Sequence, residues 1–171
     1  SLIQAADLAY QQSDLATAGH FVEQARQIFA AAHKLNSVVN ATNFLAIIAR
    51  DQEKLDEAGK YADEALVLAR KTGNLGAESG SARTFASIRV KQNKLDEAKI
   101  LIDEAQAADA KTGSLSDRIA SLGTSGEILE AKGENEKALE AYKEAVKLTE
   151  SVRATAASET AFADVKRNYR P

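Results

Sequence analysis

Two histidines, several paired carboxylates and one Gly-Thr-Ser-Gly run are the side chains that could do chemistry here, and their spacing decides how they read. His20 and His33 are thirteen residues apart. Imidazoles that share a metal on one helix sit four apart, so this pair reads as solvent-facing or groove-edge residues. Asp56-Glu57, Asp63-Glu64 and Asp103-Glu104 recur with a fixed period among lysines; a catalytic acid-base pair would be singular, so they read as a solvated helix face. Gly123-Thr124-Ser125-Gly126 lacks the G-x-S-x-G spacing of a nucleophile elbow and falls inside a helical pattern. Lys71-Thr72 and Lys111-Thr112 lack the upstream glycines of a phosphate loop. Asn40-Ala41-Thr42 fits a glycosylation sequon, but it too lies in a helical pattern. With no cysteine there is no thiol nucleophile, disulfide or zinc-thiolate site. The chain reads as noncatalytic, with no cofactor and no catalytic or structural metal.

The elements that carry these residues follow from a strict period. LATAGHFVEQA (15–25), LDEAGKYADEA (55–65), LDEAKILIDEA (95–105) and NEKALEAYKEA (135–145) stand forty residues apart, with Ala18, Ala58, Ala98 and Ala138 in register. Such a repeat predicts a stacked helical array. In the second unit Val38, Val39, Thr42, Leu45, Ala46 and Ala49 mark an A helix, and Leu55, Ala58, Tyr61, Ala62, Ala65, Leu66 and Ala69 a B helix, both at three- and four-residue spacing. Gly73 and Gly113 are expected to end their B helices, and Asn36 to take that role in the first unit. The units fall at about 1–35, 36–75, 76–115 and 116–153. Ser158 is a candidate cap for a last helix over about 157–169, carrying Phe162, Val165 and Tyr169, with Lys166, Arg167 and Arg170 near its end. That helix is either a cap for the array or the first half of a truncated repeat.

Composition narrows the partners. A net charge of -3 with both signs mixed along the chain argues against a nucleic-acid surface, and no apolar run approaches the roughly 18 residues of a membrane span. Methionine is absent and the chain starts at Ser1, so it reads as a fragment or a processed product. Both a cytoplasmic and an exported, periplasmic location stay open.

The fourth unit, with Leu122, Ser125-Gly126, Leu129, Ala138, Tyr142 and Ala145, resembles the tetratricopeptide (TPR) family in a forty-residue variant, and the resemblance extends over nearly the whole chain. It departs from the family where bulky positions become Thr42, Ala82 or Arg89; Arg89 is expected to snorkel or to pair with an acid across the repeat interface. The resemblance implies an all-α fold, a right-handed superhelical array of antiparallel helix pairs, with the A helices lining a concave groove. The groove positions it implies are Tyr10, Asn40, Asn43, Ile47, Arg50, Arg83, Ser87, Val90, Lys91, Glu127 and Glu130, together with Asp7, Asp51, Gly80 and Gly123. Arg50, Arg83 and Lys91 beside Asn40 and Asn43 suggest a basic middle for an extended peptide, and Glu127 and Glu130 an acidic end. The expected function is a noncatalytic protein-protein interaction module for a peptide or partner protein. The alternative is a regulatory, peptide-sensing domain of a larger signalling or cell-envelope protein of bacterial type. A homodimer through exposed end helices is a further expectation.

Overall fold

The computed structural model describes the backbone of residues 1–168 and the side chains of residues 1–157. Within that range the chain is wholly helical: α1 (Leu2–Gln11), α2 (Leu15–Ala31), α3 (Leu35–Asp51), α4 (Leu55–Thr72), α5 (Leu75–Lys91), α6 (Leu95–Thr112), α7 (Leu115–Ala131) and α8 (Asn135–Asn168). Each helix packs on the next, and α3, α5 and α7 also touch across successive repeats. The even-numbered helices α2, α4 and α6 are bridged mainly by long side chains, such as Arg26 to Glu64 at 3.0 Å and Arg70 to Glu104. Curvature therefore puts α1, α3, α5 and α7 on the inner side of the stack.

The helices stop by a rule finer than the forty-residue period. Residues with positive φ stand at 13, 33, 53, 73, 93, 113 and 133, one every twenty residues. At Ser13, His33, Glu53, Asn93 and Gly133 the next residue's N–H reaches back to the third carbonyl from the helix end, as in Asp14 N to Ala9 O at 2.9 Å and Lys34 N to Phe29 O at 2.9 Å. These are Schellman closures, and their hydrogen bonds offset the roughly 1–2 kcal/mol that a side chain costs in this conformation. The first B helix consequently ends at His33, not at Asn36, which sits inside α3. His33 is thus past the end of the helix that carries His20.

Alanine makes the packing close. Ala58, Ala62, Ala98, Ala105, Ile88, Ile102 and Ile128 are fully buried in one cluster, and Ala6, Ala18, Val22 and Leu45 belong to a second beneath α1–α3. Val90, read from the sequence as groove-lining, is half-buried and packs against the first cluster. Gly126 is a close-packing position, whereas Gly123 faces open space. A Cβ at Gly126 would stand 2.6 Å from Tyr142 Cζ and 2.8 Å from its Cδ1. Gly126→Ala is expected to destabilise by about 1–2 kcal/mol by displacing the ring. In a Tyr142→Ala background the same change should stabilise by about 0.5–1 kcal/mol, since only the helix propensity of alanine remains. Urea denaturation of the four variants reads the change of sign.

No separate helix starts at Ser158. α8 runs unbroken from Asn135 to Asn168, because the stretch Ser151-Val-Arg-Ala-Thr-Ala-Ala157 holds no glycine or proline to turn the chain. The side chains of Ser158, Phe162, Val165, Lys166 and Arg167, and the whole of Tyr169 and Arg170, lie outside the described residues.

Candidate functional site

The inner face is crossed by a polar ladder that ties each odd-numbered helix to the next. From α1, the Tyr10 hydroxyl donates to Asp51 Oδ2 at 2.5 Å, and its ring stands edge-on to Phe44 at 5.4 Å. Arg50 Nε donates to Asp51 Oδ1 at 2.8 Å and its Nη1 reaches Ser87 Oγ on α5 at 3.1 Å. Lys91 Nζ lies 3.1 Å from Glu53 Oε1. Two turns away, Asn43 Nδ2 donates to Ser81 Oγ at 2.8 Å while Asn43 Oδ1 is buried without a partner. Arg83 extends toward α7, with Nη1 3.5 Å from Ser121 Oγ and Nη2 3.9 Å from Asp117 Oδ1.

These contacts change the electrostatics expected from the sequence. Arg50, Arg83 and Lys91 do lie on neighbouring helices of the inner face, but each is matched by Asp51, Asp117 or Glu53. The middle of the groove is a set of ion pairs instead of a basic strip. Ile47 is half-buried between them, and Glu127 and Glu130 are exposed on α7. Glu130 accepts the Tyr142 hydroxyl at 3.2 Å. Asn40 is exposed and lines a cavity of about 270 Å³ with Ile3, Phe29, Ser37, Ala41 and Phe44.

Asp51 is the electrostatic centre of the ladder. Burial pushes its carboxyl up, yet the hydrogen bonds from Arg50 and Tyr10 and the charges of Arg50 and Lys91 outweigh burial and hold it below the ordinary carboxylate value. The Tyr10 phenol is raised by burial and by the same Asp51. A carboxylate depressed in the folded state stabilises fully above its unfolded pKa of about 4, and that stabilisation is lost as pH falls on through the folded value. Asp51→Asn should therefore flatten the stability loss below about pH 4, measured as thermal midpoints across an acid series.

A buried cluster escaped the sequence reading. Asp109 on α6 is 2% exposed and accepts hydrogen bonds from Ser79 Oγ on α5 and from Ser121 Oγ on α7, the latter at 2.6 Å. Ser121 also meets Arg83, so the buried carboxylate lies beneath the inner-face ladder. The signal was the register: Asp109 occupies the column of Ala69, which is fully buried. A charge in a packing column has to find donors.

Arg89 is resolved within its own repeat. Its guanidinium lies 4.3 Å over the Phe85 ring and forms an ion pair with Glu97 on α6, where Nε and Oε2 are 2.8 Å apart without a directed hydrogen bond. Its Nη1 also lies near Gly59 of α4, in the preceding repeat. Among the described residues, no group of three or more His, Cys, Asp or Glu side chains is placed to hold a metal ion, and no helix is long and apolar enough to cross a membrane.

The helix order, the twenty-residue closures and the stacked pairs define a TPR-like α-solenoid, and solved structures carry the same fold. BtubC (BKLC) from P. vanneervenii superposes with a TM-score of 0.73 at 19% identity, over 89% of this chain and 63% of that one. A Rap protein complexed with competence and sporulation factor gives 0.77 at 18% identity, over 86% of this chain and 41% of that one. The putative kinesin light chain TPR-like repeats of Podosopora anserina give 0.70 at 20% identity, over 88% and 74%. This chain spans less than two thirds of the BtubC and Rap chains. No family model and no curated protein sequence matches it.

Proposed function

We propose that the chain is a noncatalytic interaction module that holds an extended peptide or a segment of a partner protein along the face formed by α1, α3, α5 and α7. One observation carries this reading. The repeats agree where they pack, as at Ala58, Ala98 and Ala138, and differ on that face, as at Asn43, Arg83 and Gly123, which share one column. Close helix packing accounts for the first set; in the second, Asn43 and Arg83 each bond to the following repeat while Gly123 faces open space, so that column has no common packing role. The complex of the similarly folded Rap protein with competence and sporulation factor supports it by analogy of fold alone.

With Arg50, Arg83 and Lys91 already matched by acids, the exposed Glu127 and Glu130 dominate the field at the α7 end. A bound peptide places its basic residues there and its amide-rich or apolar part near Asn40, where Ile3 and Phe44 offer an apolar recess. Selection from a displayed random-peptide library should yield basic peptides. Their affinity should fall at least about tenfold, about 1.4 kcal/mol, on Glu127→Arg with Glu130→Arg or on Asn40→Trp, and hold on Asp63→Arg of the outer face. Selected peptides indifferent to both inner-face variants would overturn the assignment.

The second reading, a regulatory domain of a larger protein, draws on the Rap chain being more than twice as long as its matched part. It requires that a peptide found in this way alters the output of the full-length gene product. Another similar fold belongs to aspartyl phosphate phosphatase F from Bacillus subtilis, with a TM-score of 0.78 at 12% identity. The noncatalytic reading requires that this chain leave an aspartyl-phosphate protein intact.

A further inference from the structure

We infer that the cleft where α2, α3 and α4 meet binds a guanidinium group, the head of an arginine side chain on a partner protein. The repeat itself supplies the template. One unit further along, where α4, α5 and α6 meet, the same place is filled from within the chain by Arg89. Its Nη1 donates to Gln92 Oε1, its Nε stands 2.8 Å from Glu97 Oε2, and its Cζ lies 4.3 Å from the centre of the Phe85 ring. Gly59 leaves room for it, since Nη1 is 3.5 Å from where a Cβ would stand on that residue.

The fixed parts of that cradle recur one unit earlier. Gly19, Gln52 and Glu57 stand forty residues before Gly59, Gln92 and Glu97, but the column of Arg89 holds Ala49. What remains is a cavity of about 260 Å³ lined in part by Gly19, Leu45, Ala49, Gln52, Glu57 and Tyr61. That is below the roughly 300–1,000 Å³ of sites for drug-sized ligands, so it suits a single side-chain head. Where Gly59 faces Arg89 and Gln92, Gly19 faces Ile48 Cγ2 at 3.7 Å. Among the described residues, the Gln52 side-chain amide and the Glu57 carboxylate have neither a hydrogen bond nor an ion pair. The aromatic wall moves from one helix to the next: Phe85 corresponds to Leu45, and Leu101 to Tyr61.

The third seam is the natural control. Where α6, α7 and α8 meet, the three cradle columns hold Lys99, Lys132 and Lys137, and the arginine column holds Leu129. Cradle and guanidinium are lost together, as expected if glycine, glutamine and glutamate in these columns serve a cation. Lys54 at the rim does not close the cleft, because its counterpart Lys94 stands 3.8 Å from Glu97 while Glu97 holds Arg89. A guanidinium is preferred to an ammonium. Its planar fork reaches an amide and a carboxylate together and leaves its face for a ring, whereas an ammonium is a compact and strongly hydrated charge. The cleft shares none of the inner-face residues named above, so it stands or falls independently of the proposed peptide groove.

The test titrates N-acetyl-arginine amide into the isotope-labelled chain, with N-acetyl-lysine amide as the comparison, and follows backbone amide resonances. The arginine probe should bind weakly, in the millimolar range expected of so small a ligand, and shift Gly19, Ala49, Gln52 and Glu57. It should bind roughly fivefold or more tightly than the lysine probe. Glu57→Lys changes an exposed residue and should weaken the arginine probe at least about tenfold, through loss of the carboxylate and gain of a like charge. Ala49→Arg places a guanidinium on the chain itself, as at Arg89, and should abolish binding; Glu57→Lys carries the test if that variant does not fold. No saturable shift at the cleft, equal affinity for the lysine probe, or binding indifferent to Glu57→Lys would each overturn the inference.

Discussion

Asp109→Ala is expected to destabilise the array by about 3 kcal/mol, from two hydrogen bonds to a charged acceptor worth about 1.5 kcal/mol or more each. Ser79 and Ser121, both fully buried, would each lose the acceptor of their hydroxyl. Asp109→Asn should cost less than half as much. Its amide still offers one acceptor, and the second serine hydroxyl can rotate to accept from the amide nitrogen. The loss should be regional, because a solenoid is close to a sum of repeats and nearest-neighbour interfaces. Hydrogen exchange should therefore rise in α5–α7 and change little in α1 and α2. Uniform exchange across the chain, or an alanine variant as stable as wild type, would remove Asp109 from its role as a tie between the third and fourth repeats.

Ile102→Ala should cost about 2–5 kcal/mol, the transfer term plus the cavity left behind. Ile102 is fully buried on α6, in the same cluster as Ile88, Ile128, Ala62 and Ala98. Its neighbours are mostly alanines on closely approaching helices, which have no side chain able to swing in and fill the space. The cost is accordingly placed in the upper part of that range. Against a typical total of about 5–15 kcal/mol this threatens the middle of the stack. The expected signature in urea is a broadened transition, as the two flanks uncouple and unfolding ceases to be two-state. A sharp transition at an unchanged midpoint would show that the core tolerates the void.

The sequence made the period, the helix pairs and the packing columns legible. All six inward positions read for α3 in the second unit, five apolar and Thr42, are buried, because an amphipathic period of 3.6 is a local property that survives into any fold that buries one face. It also marked Gly73 and Gly113 as stops, since glycine announces a left-handed residue. His33, Glu53 and Asn93 did not announce themselves. Their conformation is fixed by the Schellman hydrogen bonds that close each helix and by the neighbouring helix against which the turn is held, neither of which is written in the residue's type.

The inner face shows the same division more sharply. That Arg50, Arg83 and Lys91 sit on the odd-numbered helices follows from the register of the repeat, and it needs nothing but the sequence. That they meet Asp51, Asp117 and Glu53 was decided only in three dimensions. Two of these partners lie thirty-four and thirty-eight residues away along the chain, at distances set by how one repeat stacks on another. A periodic sequence by itself determines the direction in which each side chain leaves its helix. Whether a charge leaving in that direction meets water, an opposite charge or two buried serines depends on the neighbouring repeat, and the tertiary stack alone supplies that neighbour.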